Sequence, residues 1–178
     1  MADPEPATDA QISVVHARAV VRLKAWYTAS SSPRRSIEIN DRTLPDGVGT
    51  TASGEPRLLC LGPGDWLAVS DVVGGSTLSR HLEQVARAHG IATLDISHGV
   101  ACLRVTGPRA REVLSKGCGL DLHPRAFPVN YCACTRLAML AVTLDHRAEG
   151  AVDVYVDRSY VAFLQSWLRD ASGLQKVS

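Results

Sequence analysis

The sequence lacks an excess of charge of either sign: 19 lysines and arginines face 18 acids, giving a formal net charge of +1 over 178 residues. The two signs are mixed along the chain, so no long-range field draws nucleic acid or an anionic membrane, and neither is expected as a partner. No apolar run approaches the roughly 18 residues that a membrane span needs. The opening MADPEPATDA has neither the basic flank nor the apolar centre of a secretory signal, and a cytoplasmic protein is expected. Cysteine is scarce and odd in number. Cys60, Cys102, Cys118, Cys132 and Cys134 are scattered through apolar segments, which fits reduced, buried thiols better than a disulfide framework. Glycine-rich signatures are missing too: neither GxGxxG nor GxxxxGK(S/T) occurs, and there is no GxSxG nucleophile elbow.

What is present is a chain 46% hydrophobic and 21% charged, the size of one ordinary domain that buries about two-thirds of its unfolded surface. Residues 1–10 combine Pro, Asp, Glu and Ala without periodicity and are expected to form a flexible tail, leaving 11–178 as a single domain. The segment 12–27, ISVVHARAVVRLKAWY, is rich in β-branched residues and alternates from Val20, which predicts one or two strands. Two loop-like clusters fill 28–56 around a short extended piece at 37–39. In 57–70, RLLCLGPGDWLAVS, two apolar runs flank Gly62-Pro63-Gly64-Asp65 and predict a β-hairpin. Ser76 is placed to cap a helix whose Leu78, Leu82, Val85 and His89 share one face, with Gly90 ending it in the left-handed conformation.

Strands follow near 93–96 and at 100–106, then a helix over 108–116 with Pro108 at its first position. Ala110, Val113 and Leu114 form its apolar stripe while Arg109, Arg111 and Glu112 face away. CACTRLAMLAVTLDH and AVDVYVD read as a strand pair. A last helix over 158–171 sets Tyr160, Val161, Leu164, Trp167 and Leu168 on one face. Helices separated by strand pairs, without strict βαβ alternation, predict an α+β fold with a largely antiparallel sheet covered by helices.

Four constellations could carry chemistry. Gly107-Pro108 lies between a strand and a helix, where helix N-terminal amides can bind an anion, but one glycine and a missing proline N–H make it a corner of the fold. Cys132 and Cys134, two apart in a strand, share a face near Cys118 and His123 in the sequence, yet they lack the tight-turn knuckle of a zinc site, and no metal is expected. Asp95, Ser97 and His98 are too close in sequence to line up as nucleophile, base and orienter, and are expected to satisfy a backbone bend. Arg34-Arg35 is a solvated loop pair. Of Trp26, Trp66 and Trp167, two are expected in the core, and any that stays exposed marks a partner surface. No catalytic, cofactor-binding or metal-binding residue is assigned.

The runs LCLGPGDWLAVS, DISHGVACLRVTGPRAREVLSKGCGLDLHPRAFP, CACTRLAMLAVTLD and VDVYVDRSYVAFLQSWL together resemble the gamma-subunit family of heterotetrameric sarcosine oxidases. The pattern DIS followed by VxGPxAxxxL is similar, more loosely, to the folate-binding domains of aminomethyltransferases. The resemblance implies a non-catalytic subunit docked on the alpha subunit of an alpha-beta-gamma-delta complex. Such complexes oxidatively demethylate sarcosine to glycine, passing the one-carbon unit to tetrahydrofolate or releasing it as formaldehyde. It further implies that FAD, FMN, NAD and tetrahydrofolate belong to the partner subunits and zinc to the smallest one. Two alternatives remain: a subunit of a related oxidase or dehydrogenase for another N-methylated amino acid or amine, and a free-standing folate-binding one-carbon-transfer protein.

Overall fold

The computed structural model describes residues 10–15, 19–26, 38–39 and 42–173. The tail expected at 1–10 lies outside them except for Ala10, which is buried; Arg34-Arg35 and most of the loop clusters before 42 also lie outside. Twelve strands run in the order β1 (Gln11–Val15), β2 (Ala19–Ala25), β3 (Glu38–Ile39), β4 (Arg42–Thr43), β5 (Thr51–Ala52), β6 (Arg57–Gly62), β7 (Asp65–Ser70), β8 (Ile91–Asp95), β9 (Val100–Thr106), β10 (Tyr131–Leu137), β11 (Leu140–Ala148) and β12 (Ala151–Asp157). The α-helices are α1 (Gly75–Ala86), α2 (Ala110–Ser115) and α3 (Val161–Ser172). Among the described residues, two five-stranded antiparallel sheets, the small β3-β4 pair and three α-helices make this the α+β fold that the pattern of elements predicts. The described residues group into two compact units, one holding β1, Ala101–Val129 and the chain from Cys134 onward, the other the stretch up to Val100 with Asn130–Ala133.

The second unit is built on the sheet β5-β6-β7-β2-β8. Its central hairpin forms because Pro63 and Gly64 turn the chain, with Gly64 at φ 70°, so that Leu59 pairs with Leu67 and Cys60 with Trp66. One face of β2 and its neighbours, with Ala19, Val21, Leu23, Leu58 and Ala68, packs with Leu78, Leu82 and Ala86 of α1 into a buried cluster. The helix departs from expectation at both ends. Gly74 occupies the N-cap and no side chain caps it, because Ser76 already lies inside the first turn. His89 is exposed: a 3₁₀ turn over Arg87–His89 shifts the phase of the last residues, and Ala86 takes the inward position. Gly90 ends the segment at φ 67°, as expected.

The first unit is built on the order β1-β9-β12-β11-β10, to which β10 contributes its last four residues. Its helices bury Val113 and Leu114 of α2 and Leu164 and Leu168 of α3. Helix α2 is shorter than predicted. It starts at Ala110 rather than Pro108, with Arg109 at the N-cap. Helix α3 is preceded by a 3₁₀ turn capped by Asp157, whose carboxylate accepts from the Ser159 N–H. That turn leaves Tyr160 48% exposed instead of on the buried face.

The largest correction concerns CACTRLAMLAVTLDH, which forms two strands and not one. The chain reverses at Ala138 and Met139, both with positive φ (50° and 71°). A two-residue hairpin of this kind calls for Asn-Gly or Asp-Gly, so Ala-Met carries no turn signal in the sequence. Met139 is 83% exposed and packs against little. Left-handed backbone costs a non-glycine residue about 1–2 kcal/mol, partly offset by the extra freedom glycine has when unfolded. Met139→Gly is therefore expected to stabilise the protein by about 1 kcal/mol, read as a melting temperature raised by a few degrees in a thermal scan; an unchanged or lower midpoint would contradict this.

Candidate functional site

In the first unit, the turn from β9 into α2 meets the turn from β11 into β12. Gly107 N–H donates to Gly150 O at 2.9 Å, and both glycines have positive φ (105° and 65°). A Cβ on Gly150 would lie 3.4 Å from Gly107 O, so the two turns touch through backbone. The amide that an anion would have used is thus committed within the fold, and α2 has only six residues. The geometry at Gly107-Pro108 is that of a corner.

Beside the corner lies an open cleft of about 490 Å³ lined by Gly107, Pro108, Arg111, Glu149 and Gly150. Arg111 turns inward, contrary to the helical-face reading. Its Nη1 donates to Leu122 O and, at 3.0 Å, to Phe127 O. Its Nη2 sits 3.4 and 3.3 Å from the two ring nitrogens of His146. His146 is fully buried and stacks on Phe127 with centroids 5.6 Å apart. Arg111 thereby ties the segment 122–127 to β11, and this is a structural strut, because two carbonyls and a histidine already occupy its terminal nitrogens. A helical wheel cannot foresee it: the carbonyls come from the irregular stretch after α2.

A second polar group lies on the sheet of the same unit. Asp145 and Asp153 are cross-strand partners in β11 and β12, and both are fully buried. Arg104 grips Asp153 in a two-pronged pair at 2.6 and 2.9 Å, and Arg147 reaches the same carboxylate at 3.2 Å. Burial pushes the Cys102 thiol and the Tyr155 phenol far up from their ordinary values, with the nearby carboxylate charge adding to both, so both stay neutral. The Tyr155 hydroxyl has no partner among the described residues. No local sequence pattern signals this cluster. Its members are spread over three strands, and only the register brings them together.

In the second unit, Ser97 N–H and Oγ both reach Asp95 Oδ1, at 3.0 and 2.5 Å, and Val20 N–H donates to Ser97 Oγ at 2.9 Å. A Cβ on Gly75 would collide with the Asp95 carboxylate and Ser97 Oγ. His98 is exposed. Asp95 and Ser97 hold the bend, as their spacing predicts.

Cys132 and Cys134 do not share an environment. Cys132 is fully buried, 3.4 Å from Cys60 O, whereas Cys134 is exposed beside Thr143 Oγ1. Both lie in the one strand β10, and the chain passes from one unit to the other between them, so the expectation of a buried thiol holds for Cys132 and fails for Cys134. Cys118 lies 3.8 Å from Thr135 Oγ1, and His123 Nδ1 accepts from the Arg125 N–H at 3.2 Å. Among the described residues no three His, Cys, Asp or Glu side chains converge as metal ligands. Trp66 is buried, its indole N–H donating to Pro45 O at 2.6 Å. Trp167 is half-buried against Gly117, where a Cβ would collide with its ring. Trp26 stands out at 79% exposed.

A sequence profile of the sarcosine oxidase gamma subunit family matches residues 36–174. The chain belongs to this family. Gamma subunits of sarcosine oxidase from Corynebacterium sp. (strain P-1) and from Arthrobacter sp. are each 35% identical to it over 130 residues, 72% of this chain. The match spans 63% of the length of each of these relatives. In fold, this gamma-family chain is similar to one in the heterotetrameric sarcosine oxidase from Corynebacterium sp. U-96 in complex with pyrrole 2-carboxylate. The TM-score is 0.80 at 24% identity, covering 98% of this chain and 90% of that one. The glycine cleavage system aminomethyltransferase T from Bartonella henselae shares the fold at a TM-score of 0.64 and 11% identity, over 91% of this chain and 46% of that one. The likeness to aminomethyltransferases read from DIS and VxGPxAxxxL therefore holds at the level of fold. No described helix is long and apolar enough to cross a membrane.

Proposed function

We propose that this chain is the non-catalytic gamma subunit of a cytoplasmic heterotetrameric sarcosine oxidase, with residues 11–178 acting as one gamma-subunit domain docked on the alpha subunit. The complex converts sarcosine, water and O₂ to glycine, formaldehyde and hydrogen peroxide, or passes the one-carbon unit to tetrahydrofolate. FAD, FMN, NAD and tetrahydrofolate belong to the partner subunits and zinc to the smallest one, and this chain assigns no residue to catalysis, cofactor or metal. The observation that carries the reading is the family match over 36–174. The side chains support it. Arg111, Asp153 and Ser97, the best candidates for chemistry, all hold one part of a unit to another.

A permanent subunit interface buries about 2,000 Å² or more and is relatively apolar, so the lone chain is expected to self-associate. Co-expression with the large flavin- and NAD-binding chain of the same complex, followed by size-exclusion chromatography and absorbance spectroscopy, tests the reading. The expected outcome is co-elution with the large chain, while the lone gamma chain shows no flavin absorbance and binds no reduced folate. A clean monomer that binds a reduced folate at micromolar concentration and ignores the large chain would replace this reading with a free-standing folate-binding protein, the alternative that the aminomethyltransferase fold favours.

A further inference from the structure

Two ionisable side chains of opposite charge, Arg111 and Glu149, line the open cleft beside the corner. They form no ion pair with each other. Arg111 bonds two carbonyls and a histidine, and the exposed Glu149 makes no hydrogen bond or ion pair among the described residues. Arg111 differs in this from three other arginines of the chain. Arg22, Arg104 and Arg109 each present Nε and Nη2 to one carboxylate, at 2.6 to 2.9 Å, the edge whose fork matches an acid's two oxygens. On Arg111 that edge meets no acid among the described residues. Its Nη2 lies beside His146 and its Nε is buried without a hydrogen-bond partner, a cost to the fold that an incoming oxygen would offset. The floor between the two charges is Gly107, Pro108 and Gly150. Pro108 has a fixed φ, and the Gly107 N–H bond to Gly150 O ties the two turns together, so the cleft is preformed.

We propose that this cleft is a binding site for a small zwitterion, a molecule with a carboxylate and an ammonium group a few atoms apart, as in a free amino acid. The ligand's carboxylate meets the Arg111 wall and its ammonium group pairs with Glu149, so each protein charge gains the counter-ion that it lacks within the chain. A ligand with a single charge is attracted by one wall and repelled by the other, which makes the pair of charges selective. The floor carries no long side chain, which leaves room for the ligand's carbon atoms. The cleft of about 490 Å³ stays open to water, so the affinity is weak, with a Kd on the order of 1 mM. The site goes beyond the subunit reading and needs no partner chain.

The test is ligand-observed saturation-transfer NMR on the full chain, with glycine, acetate and methylamine as probes. It compares wild type, Glu149→Gln and Arg111→Gln with Glu83→Gln, which removes an exposed acid from α1 in the other unit. Glycine is expected to saturate, with acetate and methylamine at least about tenfold weaker. Glu149→Gln should weaken glycine about tenfold, the effect of losing one charge-assisted bond, and Glu83→Gln should leave it unchanged. Glu149 is exposed, so its variant keeps the fold, which thermal melting checks. Arg111→Gln also removes the strut; where it still melts cooperatively, glycine binding should be lost. No saturation by glycine up to on the order of 100 mM overturns the site. Equal binding of acetate and glycine, or glycine binding indifferent to Glu149→Gln, overturns the zwitterion assignment. None of these outcomes touches the co-elution that tests the subunit reading.

Discussion

Asp153→Ala is expected to destabilise the protein by about 3–5 kcal/mol, the range for removing one partner of a buried ion pair. Its side chain is 1% exposed, while those of Arg104 and Arg147 are 30% and 24% exposed. Removing the carboxylate deprives both guanidinium groups of the buried acid that they bind, next to Cys102 and Tyr155, which burial holds neutral. Chemical denaturation monitored by circular dichroism should show the loss as a midpoint shift at constant slope, and melting should fall by on the order of 10 °C. Exchanging all three charged residues for apolar ones of similar size should recover much of the loss, since the cost comes from charge left beside a buried site rather than from the missing attraction. A loss under about 1 kcal/mol for Asp153→Ala would mean that solvent reaches the cluster and screens it.

Gly49→Ala is the second large effect, expected at about 2–5 kcal/mol. Two costs add. Gly49 has φ 86°, where an alanine pays about 1–2 kcal/mol. Its Cβ would also enter the ring of Tyr131, and overpacking costs about 1–3 kcal/mol. Neither neighbour yields easily: Gly49 N–H is bonded to Cys60 O at 2.9 Å, its carbonyl accepts from Cys132 N–H at 2.6 Å, and the Tyr131 hydroxyl donates to Val48 O at 3.2 Å. Tyr131→Ala removes the clash but not the dihedral cost, so the double variant should be less destabilised than the sum of the singles by about 1–3 kcal/mol. Additive singles would show that the ring moves aside freely and that only the backbone term operates.

The α+β class was legible because strands and helices here obey their periods. β9 lies where VACLRVT predicts it, and the β6–β7 hairpin where Gly62-Pro63-Gly64-Asp65 predicts it. Helix α1 was legible along its length and misread at its ends, because an N-cap depends on one residue's dihedral angles and a 3₁₀ turn shifts the phase by a few tens of degrees. The Ala138-Met139 reversal was invisible, since neither residue favours positive φ. Of the candidate chemistry, the Asp95-Ser97 bend was read correctly from spacing alone, because both partners are local. The exposure of Cys134 was not legible: it lies two residues from the buried Cys132 in the one strand β10, and which positions of a strand are covered is decided by packing, not by its period.

By itself, then, the sequence determined the elements, their hydrophobic faces, the α+β class and, through the runs it shares with gamma subunits, the family. Those features are encoded in neighbours a few residues apart, where propensity and periodicity act directly. Only the tertiary structure decided that Arg111 points inward to the carbonyls of Leu122 and Phe127, that Asp153 is clamped between arginines from two other strands, and that Trp26 and Leu94 are left exposed. Each depends on strand register and on loop paths that bring together residues far apart in the chain. Register is set by the whole core at once, because a slip of one residue turns every side chain of a strand to the opposite face.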